Sequence, residues 1–305
     1  MQERSVVLLW IWFKQMGDMN DVSLAPSSLN KLRRSKIASS LLWRPQMPLI
    51  QTKTEAAVGT ITLDHPKKRN ALSRQLVDAI IETWASFSRK QIRVVVLRAQ
   101  PGVKVWSAGH DVDELPEGRR DPLGWDDPLR NLVRSIEEFP TPVIAAIEGG
   151  VWGGACEVAF ACDLIFVAPT ATFAVTPAKL GVPYNVTGML TFLNACSLRI
   201  VKEMAFTAQP ISAKRAESLG IVNRVLPAKE LEPFTYSLAR EIAENAPLSI
   251  SVMKEQLRML AGAHPMSPRR FERVQGLRRI VYDSEDYAEG IRAFREKRKP
   301  KFVGR

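Results

Sequence analysis

The stretch Pro140–Leu164, PTPVIAAIEGGVWGGACEVAFACDL, decides the fold. Val143–Ile147 is a short apolar run rich in β-branched residues, the pattern of a buried strand. Glycines then crowd the chain at 149, 150, 153 and 154, where a backbone without Cβ can approach a ligand closely. A short Gly-led helix carrying Glu157 follows, and Leu164–Val167 reads as the next strand. Strand, glycine turn, helix and strand in this order argue an α/β class.

The same alternation extends in both directions. Val58–Leu63 alternates as a strand. Ser73 is placed to cap a helix whose apolar stripe is Leu76, Val77, Ile80, Ile81, Trp84 and Phe87. Ile92–Leu97 is a second β-branched strand. Downstream, Ser212 caps a helix closed by Gly220, and Ile221–Leu226 returns as a strand. After Ala228 the pattern is almost wholly helical, with breaks near Pro247, Pro265 and Pro268. This predicts an α/β core over residues 47–230 and a helical region over 231–305. Residues 1–46 differ in character. Val6–Phe13 is apolar but too short to span a bilayer. Ser27–Arg44 carries no acid and has the composition of a transit peptide, without a clean cleavage signal. The segment is expected to be a dispensable extension, either disordered or upstream of a true start at Met47.

Composition narrows the function classes. The chain is 46% hydrophobic and 25% charged, ordinary for a globular protein, so disorder is not expected for the whole. The net charge of +11 suits an anionic ligand, nucleic acid or a membrane surface equally well. Basic residues are mostly interleaved with acids, with clusters at Lys31–Lys36 and Lys297–Lys301. No aromatic-and-basic platform for single strands stands out, so nucleic acid is not the expected partner; RNA binding is kept as a competing reading. Cys156, Cys162 and Cys196 lack metal-site spacing and cannot all pair, which fits a reducing cytoplasm. No metal site and no membrane attachment are expected.

Two glycine-containing turns are candidates for chemistry: Ser107-Ala108-Gly109-His110-Asp111, and Gly149 to Glu157. The first follows a strand; the second leads into a helix, whose first amide N–H groups have no internal partner. Two such groups converging from separate turns can bind a developing oxyanion. A purely structural role and phosphate binding are the alternatives, although neither turn matches a P-loop or dinucleotide fingerprint.

Four segments together resemble the enoyl-CoA hydratase/isomerase (crotonase) family. They are LDHPKKRNALS (63–73), SAGHDVDEL (107–115), the stretch 140–164 and AFREKRKPKF (293–302), in the family's order and spacing over about residues 50–305. The resemblance implies a spiral of ββα units with a helical C-terminal trimerisation region, and a homotrimer or dimer of trimers. It implies an acyl-CoA substrate, coenzyme A being part of that substrate, and no separate cofactor. It places the oxyanion hole on the backbone N–H groups of His110 and Gly154; the His110 side chain need not act. Ala108, Gly109, His110, Asp111 and Val112 would line the CoA thioester and adenine region. Thr176 would lie near the acyl group, and Lys297 would approach the CoA phosphates, of its own or of a neighbouring subunit. His65 lies in a segment that lines the CoA site in relatives, and neither it nor His264 is assigned a role.

The acid/base equipment separates members of the family. Hydratases resemble one another in using two glutamates to activate water. Glu157 matches the first, whereas Pro177 occupies the second position in FAVTPAKLGVPYN (173–185). Hydration by that mechanism is therefore not expected, and Glu157 is left either orienting a water, helping protonation, or simply polar. SAGHDVDELPEGRRDPLGWDDPLR, VWGGACE and TPAKLGVPYN resemble a branch of the family that decarboxylates methylmalonyl-CoA. The matching tyrosine is Tyr184, whose hydroxyl could orient the leaving carboxylate without neutralising it. Decarboxylation to propionyl-CoA is the expectation; hydration or isomerisation of an unsaturated acyl-CoA is the alternative.

Overall fold

The structure is a computed structural model and describes residues 48–305 apart from Glu117, Arg119 and His264. The expectations for residues 1–46 and for His264 lie outside the described residues. An N-terminal hairpin is formed by β1 (Ile50–Glu55) and β2 (Val58–Leu63), turning at Ala56 with φ 50°. Helix α1 (Arg74–Arg89) starts where expected, with the Ser73 hydroxyl accepting from Leu76 N at 3.3 Å. It buries Leu76, Val77, Ile80, Trp84 and Phe87, while Ile81 lies half-buried at the edge of the stripe.

The next three strand pairs explain the architecture. They are β3 (Val94–Ala99) with β4 (Val105–Ser107), β5 (Val143–Ile147) with β6 (Gly150–Trp152), and β7 (Leu164–Val167) with β8 (Thr172–Ala174). Helix α2 (Pro128–Glu138) follows β4, α3 (Gly154–Ala161) follows β6, and α4 (Val186–Ala195) follows β8. Then come α5 (Leu198–Thr207), β9 (Ile211–Ser212), α6 (Ala213–Ser218) and β10 (Arg224–Val225). The first strand of each pair enters a six-stranded sheet of order β1-β2-β3-β5-β7-β10; the second enters a four-stranded sheet of order β4-β6-β8-β9. All neighbours are parallel except β1–β2 and β8–β9. Each ββα unit thus adds one strand to each sheet, the spiral that the sequence resemblance implied.

Both faces of the central strands β3, β5 and β7 are covered, which is why they read as nearly unbroken apolar runs. Val95, Leu97, Ala145 and Ile165 enter the main core with α1, α2 and α3. Their neighbours Val94, Val96, Ile144 and Phe166 enter a second cluster with Leu231, Phe234 and Ala239 of α7 (Ala228–Glu244). A fully buried Leu or Val contributes roughly 1.5–3 kcal/mol, so α7, which spans residue 230, is packed as part of the core. Beyond it lie α8 (Pro247–Ala261), α9 (Pro268–Tyr282) and α10 (Glu285–Arg295), with Pro247 and Pro268 opening α8 and α9 at their first turns.

Two strand boundaries move. The run expected from Ile92 is extended only from Val94, because Ile92 N closes the end of α1 onto Phe87 O. The strand expected over Ile221–Leu226 shrinks to Arg224–Val225. Ile221 and Val222 are buried, but their N–H groups both reach Ala216 O at the end of α6, so they are unavailable to a ladder. Pairing resumes when Asn223 N donates to Ile165 O.

Candidate active site

The two glycine turns meet. Gly109 has φ +85°, and a Cβ there would stand 2.4 Å from Trp152 O and 2.8 Å from Gly154 N. A Cβ on Gly154, in turn, would stand 3.5 Å from His110 N. The contact is possible because β4 and β6 are parallel neighbours, so the turns leaving their C-terminal ends lie side by side. Gly153, at φ +54°, then redirects the chain into α3. Among the described residues no protein acceptor takes the N–H of His110 or of Gly154. The first turn is held from behind: Leu72 N donates to Gly109 O at 2.8 Å, Ala108 N to Arg69 O at 2.9 Å, and the Ser107 hydroxyl to Asn70 O at 2.7 Å.

These groups border a cavity of about 690 Å³. Ala108, His110, Asp111, Val112, Gly154, Thr176, Tyr184 and Lys297, all expected at the site, line it. Gly109 does not line it; the backbone of Trp152–Gly154 occupies the space beside it, and its part is to permit that approach. Lys297 stands on the same chain's cavity, so a neighbouring subunit is not required to supply it. Sequence reading missed the rest of the basic rim: Lys67, Lys68, Arg69, Lys179 and Arg298. The KKR within 63–73 was the available signal. Lys68 bridges Asp111 at 2.8 Å and Asp113 at 2.9 Å, so both acids facing the cavity are paired. Leu115, Leu123, Leu129 and Val182 make its apolar wall.

Glu157 sits elsewhere. Its side chain is fully buried in the first turn of α3, outside the cavity lining, and Arg130 of α2 donates to its Oε1. Its Oε2 is buried without a protein partner. Pro177, which does line the cavity, opens a 3-10 turn after Thr176. Neither position that would carry a hydratase glutamate therefore presents a free carboxylate to the cavity.

Tyr184 also lines the cavity. Asn185 fixes it by capping α4, its Oδ1 accepting from Gly188 N at 2.7 Å and its Nδ2 donating to Leu123 O at 3.1 Å. The ring packs edge-on against Phe192, centroids 5.2 Å apart. Its hydroxyl is buried with no protein partner, and burial pushes its pKa far above the usual phenol range. Tyr184 lines the cavity, and a neutral O–H without a protein partner can donate to an anionic ligand that reaches it.

The His110 imidazole is clamped at both nitrogens, Nε2 to Asp127 Oδ2 at 2.7 Å and Nδ1 to Asp111 O at 3.1 Å. Both partners are acceptors only, so the doubly protonated ring satisfies both. Burial pushes this imidazole down, but the Asp127 hydrogen bond and charge outweigh it, and the net shift is upward.

The family model of enoyl-CoA hydratase/isomerase matches residues 53–305. The chain belongs to the enoyl-CoA hydratase/isomerase family. Within it, the chain is 52% identical over 247 residues to methylmalonyl-CoA decarboxylase of Escherichia coli K12, covering 81% of this chain and 95% of that protein. Carnitinyl-CoA dehydratase of Salmonella paratyphi A is 35% identical over 248 residues, 80% of this chain and 94% of that one. Among solved structures, methylmalonyl-CoA decarboxylase in complex with 2-nitronate-propionyl-CoA aligns with a TM-score of 0.84 at 50% identity, covering 85% of this chain and all of that one. The same enzyme with 2S-carboxypropyl-CoA aligns at 0.83 and 50%, with the same coverage. The parallel spiral and helical C-terminal region are thus those of the family.

Proposed function

We propose that this protein decarboxylates methylmalonyl-CoA to propionyl-CoA. The observation that carries the reading is the unpaired hydroxyl of Tyr184, a residue lining the same cavity as His110 and Gly154, whose backbone amides have no protein acceptor among the described residues. The thioester oxygen sits between those amides. Tyr184 donates to the substrate carboxylate and holds it out of the thioester plane, so the breaking C–C bond overlaps the carbonyl π system. As that bond breaks, its electron pair enters the enolate, carbon dioxide leaves, and negative charge moves onto the oxygen facing the amides. Preorganised donors there require little reorganisation, and one is typically worth about 3–4 kcal/mol at the transition state. A proton then adds to the α-carbon. The thioester is its own electron sink, so no metal, biotin or other organic cofactor is called for.

The basic rim, including Lys67, Lys179 and Lys297, suits the phosphates of CoA. Homotrimer or dimer-of-trimers assembly is proposed on the apolar surface of α8 and α9, where Leu248 is 82% exposed, Leu260 73% and Ile280 68%. Leu260→Glu is expected to lower the mass seen in sedimentation. The cytoplasm is proposed as the compartment: the cysteines are free, with burial pushing the Cys156 thiol up to about 12. Among the described residues no helix is long and apolar enough to cross a membrane.

The test is incubation with a panel of CoA esters, read by mass and by carbon dioxide release. Propionyl-CoA from methylmalonyl-CoA is expected, with negligible loss of enoyl absorbance from crotonyl-CoA. No carbon dioxide, together with a shifted double bond in an unsaturated ester, would replace decarboxylation by isomerisation.

A further inference from the structure

We infer that Asp127 is a positioning residue for the oxyanion hole, tying the His110 turn to the start of α2. The inference rests on the decarboxylase reading for its chemistry, but its geometry stands apart from it. Asp127 uses both carboxylate oxygens for different elements. Oδ1 accepts from Arg130 N at 3.3 Å and caps α2; Oδ2 accepts from His110 Nε2 at 2.7 Å. The carboxylate is almost fully buried, so water competes poorly for either bond.

The N–H of His110 needs this restraint. Its turn is bound to the N-terminal motif through Gly109 O and the residues before it, and beyond the amide by the Lys68 bridge to the carboxylate of Asp111. Gly109 itself lies at positive φ, where glycine has more freedom than any other residue. On the far side of the amide, the imidazole is the anchor carried by His110 itself, held by Asp127 and by Asp111 O. Rotation of the 109–110 peptide would swing the donor away from the oxygen it must meet. The Gly154 amide has no such freedom, because it opens α3.

Asp127→Ser separates the two jobs. A serine still caps α2 but is too short to reach His110. At alkaline pH, where His110 is neutral in either protein, thermal stability should stay near wild type. kcat for carbon dioxide release should fall about 10- to 100-fold, the cost of a small misplacement, with KM little changed. Binding should split in the same way. 2-Nitronate-propionyl-CoA, which spreads negative charge onto its thioester oxygen, should lose about tenfold or more in affinity, an interaction of the size expected for a hydrogen bond to a charged group. 2-Carboxypropyl-CoA, which has the carboxylate but no thioester carbonyl, should bind as to wild type. Asp127→Asn keeps a side chain long enough for both bonds, with His110 as the neutral tautomer, and should restore most of kcat. The inference is overturned if Asp127→Ser keeps wild-type kcat and nitronate affinity, if it weakens both ligands equally, or if Asp127→Asn is as impaired as Asp127→Ser. Should the wild type release no carbon dioxide, the decarboxylase reading fails, and the two-ligand comparison still decides the tether.

Discussion

Replacing Arg130 by methionine should destabilise the protein strongly without touching a group that faces the substrate carboxylate. Arg130 and Glu157 have side chains 5% and 0% exposed, and they neutralise each other between α2 and α3. Removing one partner leaves a buried charge without compensation, at a cost of about 3–5 kcal/mol. At about 2–4 °C per kcal/mol for a domain of this size, the fall in Tm is about 6–20 °C. The double variant Arg130→Met/Glu157→Leu should recover most of it. Apolar replacements of similar volume for a buried pair are often neutral or better, and this change also removes the unpartnered Glu157 Oε2. Calorimetry gives Tm, and carbon dioxide release at a temperature below both transitions gives activity. The double variant should retain activity, because Glu157 is outside the cavity lining. A folded double variant that no longer decarboxylates would put Glu157 into the chemistry and refute the assignment. A single Arg130→Met variant as stable as wild type would refute the energetics.

Other outcomes follow from the same geometry. Tyr184→Phe keeps the ring on Phe192 and removes only the buried hydroxyl, so carbon dioxide release should fall about 10²-fold or more with unchanged Tm. Gly109→Ala places a methyl 2.4 Å from Trp152 O at φ +85°; decarboxylation should be nearly abolished, and nitronate affinity lost with it. His110 binds its proton more tightly folded than unfolded, with Asp127 and Glu114 as the acidic groups raising it against burial. Its contribution to stability is therefore complete below the unfolded value of 6.5 and is lost as pH rises through the higher folded value. Chemical unfolding of the wild type should show that decline, and Asp127→Asn should flatten it.

Local pattern carried much of the fold. The β-branched runs at 143–147 and 164–167, the Ser73 and Ser212 caps and the Pro-led helices are short-range signals, and all stand close to where they were read. The strands β4, β6 and β8 of the smaller sheet were not legible. They are three residues long and sit beside glycine turns, too short for a period to register.

By itself the sequence determined the α/β order, the family, the loss of a carboxylate at Pro177, and the names of eight residues that line the cavity. Those depend on residue identity and on neighbours a few positions apart. Only the tertiary structure decided what Glu157 does. Its partner Arg130 lies 27 residues away on another helix, and a charge's role depends on which charge it is packed against. The same holds for His110, whose ring is set by Asp127 across 17 residues, and for the amide pair of His110 and Gly154. Their meeting follows from β4 lying beside β6 in a sheet formed by strands that are not consecutive along the chain.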